Sequence, residues 1–245
     1  IIQYTLSRKL NYPPGKNYSY SNFGYALLGK IIEKKSGMPY QDYVVFSILK
    51  PLGIHDMHLG RSYFHEKFPN EVKYYDNGKL RQVHSVAGDG KRVPIFYGGN
   101  NIELLGPAGG WVASAPELIK LITAIDGCQG HPDILKPETL NMMIDPNLSG
   151  EGLFGWRGSD QYGNWWRTGY FGGSSALVMR QEGGINWVIM MNTSTNKQSG
   201  IHRYVSGMMF STVSKIKEWP DIDLFMIDSW NPYPISEIPL TNPHL

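Results

Sequence analysis

Apolar residues recur at helical spacing from Phe23 to Lys35, with Phe23, Leu27, Leu28, Ile31 and Ile32 on one face. Ser21 or Asn22 stands where a cap would start that helix, and Gly37 where one would end it. Tyr40, Tyr43, Val44 and Ile48 predict a second helix over Tyr40 to Leu49, stopped by Pro51. The capping box Ser114-Ala115-Pro116-Glu117 opens a third, running to about Ile125, and Lys136 to Ile144 reads as a fourth. Ile1, Ile2, Leu6 and Leu10 mark a short apolar helix end at the start of the chain.

From Leu153 the period shortens to that of strands. Phe154 to Arg157, Asn164 to Tyr170, Ser174 to Arg180 and Ile185 to Met191 are four candidates. Glycine-containing turns at 158–163, at Gly172-Gly173 and at Glu182-Gly183-Gly184 separate them, which predicts an antiparallel meander. Gly200 to Lys217 is amphipathic: Ile201, Tyr204, Val205, Met208, Met209, Val213 and Ile216 form one stripe, expected to pack on a face of that sheet. Arg61 to Asn101 is irregular and polar. Within it Val72 to Tyr75 and Leu80 to Val83 flank Asp76-Asn77-Gly78-Lys79, a hairpin signal. The proline-containing tail from Trp219 reads as extended.

These elements imply an α+β fold: an antiparallel sheet flanked by helices, with a helical subdomain. The chain divides into a helical part with an elaborated loop region (1–152), strands plus a helix (153–218) and a tail (219–245), one incomplete domain overall. Composition agrees with a globular chain: 245 residues, 41% hydrophobic and 18% charged. A net charge of +2 with scattered basic residues gives no field for nucleic acid. The single cysteine, Cys128, rules out an internal disulfide and a Cys-rich metal site, and reads as a helix-end packing residue. No apolar run is long enough to span a membrane. The opening Ile1-Ile2-Gln3-Tyr4, with neither methionine nor leader, suggests a chain cut from something longer.

Two local patterns bear chemistry: Tyr20-Ser21-Asn22 at a loop-to-helix junction, and Arg167-Thr168-Gly169 on a strand, followed by Gly172-Gly173. Each is weak alone; their order, and the intervening Gly106-Pro107-Ala108-Gly109-Gly110-Trp111 segment, make them specific together. From about Tyr12 to Phe225 the chain resembles the serine β-lactamase-related hydrolases: class C β-lactamases, DD-peptidases of that lineage and related esterases. Pro14-Gly15, Tyr18 to Tyr25 and Leu28-Gly29 are similar to that family's second motif and the helix after it. Ile48 to Gly53 is similar to its next landmark, and Arg167-Thr168-Gly169 stands in the place of the third motif.

The resemblance implies acyl transfer through an acyl-serine on an amide, ester or β-lactam bond, with a small molecule or peptide as substrate and no cofactor. It makes Tyr20 the base or proton relay, Asn22 a partner for a substrate amide, and Arg167 a cation near the phenol or a clamp for a carboxylate. Thr168 and Gly169 would let substrate lie along the strand edge, and the Tyr170 N–H would be one oxyanion donor. It also implies an exported or periplasmic parent. Each residue has a plainer reading: Tyr20 as a buried ring, Asn22 as a helix cap, Arg167 and Thr168 as ordinary strand residues, and Trp165, Trp166, Tyr170 and Phe171 as sheet packing.

Two departures matter. Arginine replaces the usual lysine or histidine of the third motif, and arginine cannot give up its proton. The family's Ser-x-x-Lys motif precedes its tyrosine motif, yet nothing upstream of Tyr20 matches it. Ser47 to Lys50, Ser194 to Lys197 and Ser214 to Lys217 all follow Tyr20 and read as chance. The nucleophile is therefore expected outside this chain, leaving the chain alone inactive, with an exposed sheet edge that favours self-association or repair by another chain. A non-catalytic module binding peptidoglycan peptides or a protein partner is the alternative. His55, Asp56, His58 and His65 offer a zinc reading, weakened by the lack of a helical frame.

Overall fold

The computed structural model describes residues 2–76, 81–145, 155–156, 158–194 and 198–227. The first helix, α1 (Ile2–Leu6), buries none of its residues. Helix α2 (Asn22–Ser36) is closed at both ends by local chemistry. Ser21, in extended backbone, accepts the Gly24 N–H at 3.1 Å, and Gly37 at φ 71° returns its own N–H to the Glu33 carbonyl. Ser21 is thus the cap, and Asn22 is the first helical residue.

Helix α3 (Tyr40–Val44) does not continue in the α form to Leu49. Val45–Leu49 is a π turn, closed by the Lys50 N–H bonding to the Val45 carbonyl, and Lys50–Leu52 follows as a 3-10 turn carrying Pro51. The widened turn lies where Leu49, Leu52 and Ile54 enter the core with Met57 and Ala124.

Strand β1 (His58–Leu59) pairs with β5 (Trp111–Val112). Between them lie β2 (Tyr75–Asp76), β3 (Gln82–His84), β4 (Arg92–Pro94) and helix α4 (Ile102–Leu105). The hairpin expected across Asp76 to Lys79 is corrected here. Its turn residues 77–79 lie outside the described residues, and the flanking strands pair elsewhere. The second of them, β3, pairs antiparallel with β4. The first, β2, runs parallel to β10 (Thr193–Ser194), because Asn192 captures it: the Asn192 carbonyl accepts the Tyr75 N–H at 2.9 Å and its side chain donates to the Lys73 carbonyl at 2.9 Å.

Helix α5 (Ala115–Thr123) starts at Ser114, whose hydroxyl accepts the Glu117 N–H, and α6 (Pro137–Ile144) follows with proline in its first turn. The principal sheet is an antiparallel meander of four strands in the order β6 (Gly158–Ser159), β7 (Trp165–Phe171), β8 (Ser174–Gln181) and β9 (Ile185–Met191). Of the expected strand at 154–157, residues 154 and 157 lie outside the described residues, Gly155 and Trp156 are not in a strand, and the strand found next is Gly158–Ser159. The other three strands stand within one residue of expectation.

Alternation along β7 and β8 sends Trp166, Leu177 and Met179 to one face and Trp165 and Val178 to the other. The first face packs on α7 (Gln198–Val213) through Met209 and Val213; the second packs on Ile122, Leu118 and Trp156. Only part of the predicted α7 stripe reaches the sheet, since Tyr204 is 72% and Met208 54% exposed. Strand β9 is the outer strand of this sheet among the described residues. The start of the tail is not extended throughout: Leu224–Met226 is a 3-10 turn capped by Asp223, and Phe225 packs against the Leu49 core.

Candidate active site

Tyr20 sits one residue ahead of the Ser21 cap, so the start of α2 fixes where its ring leaves the chain. Its phenol faces strand β7, 147 positions away in sequence, and accepts a hydrogen bond from Arg167 Nη2 at 3.1 Å. The guanidinium carbon lies 5.3 Å from the Tyr20 ring centroid and 5.5 Å from that of Tyr25. The two rings are themselves 5.6 Å apart, tilted by 44°.

Arg167 shares its face of β7 with Gly169, while Thr168 and Tyr170 alternate to the α7 face. Strand β6 covers β7 only at Trp165 and Trp166. From Arg167 to Phe171 the opposite edge to β8 has no strand partner among the described residues. Asn22 is exposed beside Tyr20, on the first turn of α2. The structure thus brings together the Tyr20, Asn22 and Arg167 segments along an open strand edge that includes Thr168, Gly169 and Tyr170. The neighbouring tryptophans pack in the sheet: Trp165 against Trp156, and under the Arg180 guanidinium at 4.4 Å.

Two glycine contacts hold this arrangement. Helix α2 lies on the Gly106–Ala108 turn, and at Gly29 a Cβ would come within 2.9 Å of Pro107 Cβ and collide with the ring beyond it. The Gly172-Gly173 turn ending β7 is roofed by the irregular segment. Gly173 adopts φ 79°, and a Cβ there would lie 2.8 Å from Phe96 and 2.9 Å from Tyr74.

Behind that roof is a buried ion pair that sequence reasoning missed. Lys67 Nζ lies 3.1 Å from Glu71 Oε1, with side chains 9% and 3% exposed, and Tyr74 donates its hydroxyl to the same carboxylate at 2.5 Å. Burial, reinforced by the Glu71 carboxylate, pushes the Tyr74 phenol far above its ordinary range. The i, i+4 spacing of Lys67 and Glu71 was the available signal. Tyr25 was also missed as a site residue; its signal was an aromatic one turn into the helix that follows Tyr20.

Other side chains settle into structural roles. Lys120, 4% exposed, donates to the Gly53 and Ile227 carbonyls at 3.0 and 2.9 Å. Burial pushes the Cys128 thiol up, and its sulfur lies 3.4 Å from Arg180 Nη2. The histidines of the zinc reading diverge, with His58 against the Phe68 ring and His65 on Tyr63, and no metal-holding group of three or more His, Cys, Asp or Glu occurs among the described residues. The Ser-x-x-Lys matches are also engaged elsewhere. Lys50 lies over the Phe46 ring at 4.3 Å, Ser194 accepts the Gly173 N–H at 2.9 Å, and Ser214 donates to the Ser211 carbonyl at 3.1 Å. No helix among the described residues is long and apolar enough to cross a membrane.

Comparison with known proteins agrees with this architecture. Penicillin-binding protein 4* of Bacillus subtilis (strain 168) is 39% identical over 74 residues, 30% of this chain and 16% of that protein. D-amino acid amidase from Ochrobactrum anthropi SV3 superposes with a TM-score of 0.63 at 21% identity, covering 88% of this chain and 64% of the amidase. The octameric penicillin-binding protein homologue from Pyrococcus abyssi superposes at 0.58 with 26% identity, covering 82% of this chain and 44% of that one. The chain therefore spans less than two thirds of the length of each. The family described as Beta-lactamase matches residues 1–206, and the chain belongs to that family.

Proposed function

We propose that this chain forms two walls of a serine acyl hydrolase active site, the tyrosine wall and the strand wall, acting on an amide, ester or β-lactam bond. The observation that carries the reading is the Arg167-to-Tyr20 hydrogen bond beside an unpaired strand edge. In this reading the Tyr20 phenol relays the proton between nucleophile and leaving group. Arg167 cannot shuttle a proton, so it acts as a fixed charge and hydrogen-bond donor beside the Tyr20 oxygen and draws in a substrate carboxylate. Asn22 bonds a substrate amide, substrate lies as an added strand along Thr168 and Gly169, and the Tyr170 N–H donates to the oxyanion.

The nucleophilic serine and its lysine are assigned to a segment outside these 245 residues, because the three Ser-x-x-Lys matches within them all follow Tyr20, whereas the family's motif precedes its tyrosine. The test is active-site labelling. A longer protein carrying this chain and an upstream Ser-x-x-Lys is expected to take up a fluorophosphonate or a fluorescent penicillin on that serine. The 245-residue chain alone is expected to leave a chromogenic cephalosporin and short-chain esters intact. Turnover by the chain alone, or a longer protein that neither probe labels, refutes the assignment; the latter points to a binding module.

A further inference from the structure

Three groups at the tyrosine wall form a closed triangle. Arg167 Cζ to the Tyr20 ring, Arg167 Cζ to the Tyr25 ring, and ring to ring measure 5.3, 5.5 and 5.6 Å. Only one side of the triangle is a hydrogen bond, Arg167 Nη2 to the Tyr20 oxygen. One such bond leaves a guanidinium free to turn about it. On its own face of the sheet Arg167 has Trp165, packed on Trp156, to one side, Val178 opposite it on β8, and Gly169, which has no side chain, to the other. The second ring supplies the missing contact. A cation over an aromatic face is attracted by the ring's quadrupole, and Tyr25 offers that face from the first turns of α2, the helix that also carries the Ser21 cap.

We propose that Tyr25 is a positioning residue for the reaction assigned above: its ring holds the Arg167 guanidinium so that Nη2–H stays on the Tyr20 oxygen. The inference rests on that reading of Tyr20 and Arg167. Position matters because arginine contributes only its field and its hydrogen bonds, and both fall off with distance. Tyr25 acts through its ring face: its hydroxyl makes no hydrogen bond among the described residues, so phenylalanine retains the role and an aliphatic residue loses it.

The test has two arms. In the 245-residue chain labelled with 15N-arginine, the Arg167 Nε–H resonance is assigned from its loss in Arg167→Lys. It is expected displaced by the ring currents in the parent and in Tyr25→Phe, and back at the ordinary arginine position in Tyr25→Leu. Should Tyr25→Leu lose the parent circular-dichroism spectrum, Tyr25→Met, of similar bulk and without a ring, takes its place. An unmoved resonance in the aliphatic variant overturns the proposal.

In a longer protein carrying the nucleophile, kcat/KM is expected to fall about three- to fivefold in Tyr25→Leu and to stay within about twofold in Tyr25→Phe, the size of an exposed cation–π contact. Equal losses in both variants overturn it, since a packing or hydroxyl role would not be rescued by the ring. A displaced resonance in a longer protein that hydrolyses nothing upholds the clamp and removes the hydrolase reading.

Discussion

Gly29→Ala sets two effects of opposite sign against each other. Replacing a mid-helix glycine with alanine ordinarily stabilises by about 1 kcal/mol. Here the added methyl is built into the Pro107 ring, within 2.9 Å of its Cβ, and the proline cannot swing aside as a flexible side chain would. Forcing a carbon into a packed contact costs about 1–3 kcal/mol and separates the packed elements. The steric term offsets or outweighs the helix gain, with a net loss of up to about 2 kcal/mol, or up to about 8 °C in Tm for a chain of this size.

Gly24 in the same helix is the internal control. A Cβ there meets only Ser21, at 3.5 Å, so Gly24→Ala is expected to be neutral or to stabilise by up to about 1 kcal/mol. Urea and thermal unfolding followed by circular dichroism measure both. Stabilisation by Gly29→Ala equal to that by Gly24→Ala would refute the claim that α2 is seated on the Gly106–Ala108 turn.

Other perturbations follow from the same contacts. Lys67→Met strands the buried Glu71 carboxylate and is expected to destabilise by about 3–5 kcal/mol in urea unfolding. The Tyr74 phenol is raised in the fold above the ~10 of an unfolded tyrosine, so its contribution is complete below pH ~10 and is lost as pH climbs above it. Urea midpoints measured from pH 8 to 11 are expected to fall at the alkaline end, with a shallower fall in Tyr74→Phe. Ser21→Ala removes the α2 cap and is expected to cost about 1 kcal/mol in the same assay. The exposed α7 stripe and the outer strand β9 predict concentration-dependent association in sedimentation velocity, reduced in the double variant Tyr204→Lys, Met208→Glu.

Much of this architecture was legible because its determinants are local. The Ser21 cap and the Gly37 stop are written within a few residues of the helix they bound, and α2 ends within one residue of expectation. Strands β7 to β9 alternate between glycine turns, so their limits were equally plain. The pairing of Tyr20 with Arg167 is what the family resemblance implies, not any local pattern, and the structure puts the two in contact.

What escaped depends on distant backbone. Asn192 captures Lys73 and Tyr75, and no feature of residues 72–83 announces that competitor to the hairpin. Lys120 is buried because carbonyls of Gly53 and Ile227 converge on it, although helical periodicity alone would put a lysine outside. The α7 stripe was read as one face, but an α-helix laid on a sheet buries only part of a wide apolar arc, and Tyr204 and Met208 fall outside it.

The account turns on the Tyr20 phenol taking part in acyl transfer beside Arg167. The direct measurement is kcat/KM for a chromogenic ester or cephalosporin in a longer protein carrying both this chain and the nucleophile, comparing Tyr20→Phe with Gly24→Ala. Loss of a proton relay lowers the rate by about 10²–10⁴-fold, so Tyr20→Phe is expected in that range while Gly24→Ala keeps the parent rate. A Tyr20→Phe enzyme that turns over as fast as its parent would contradict the account.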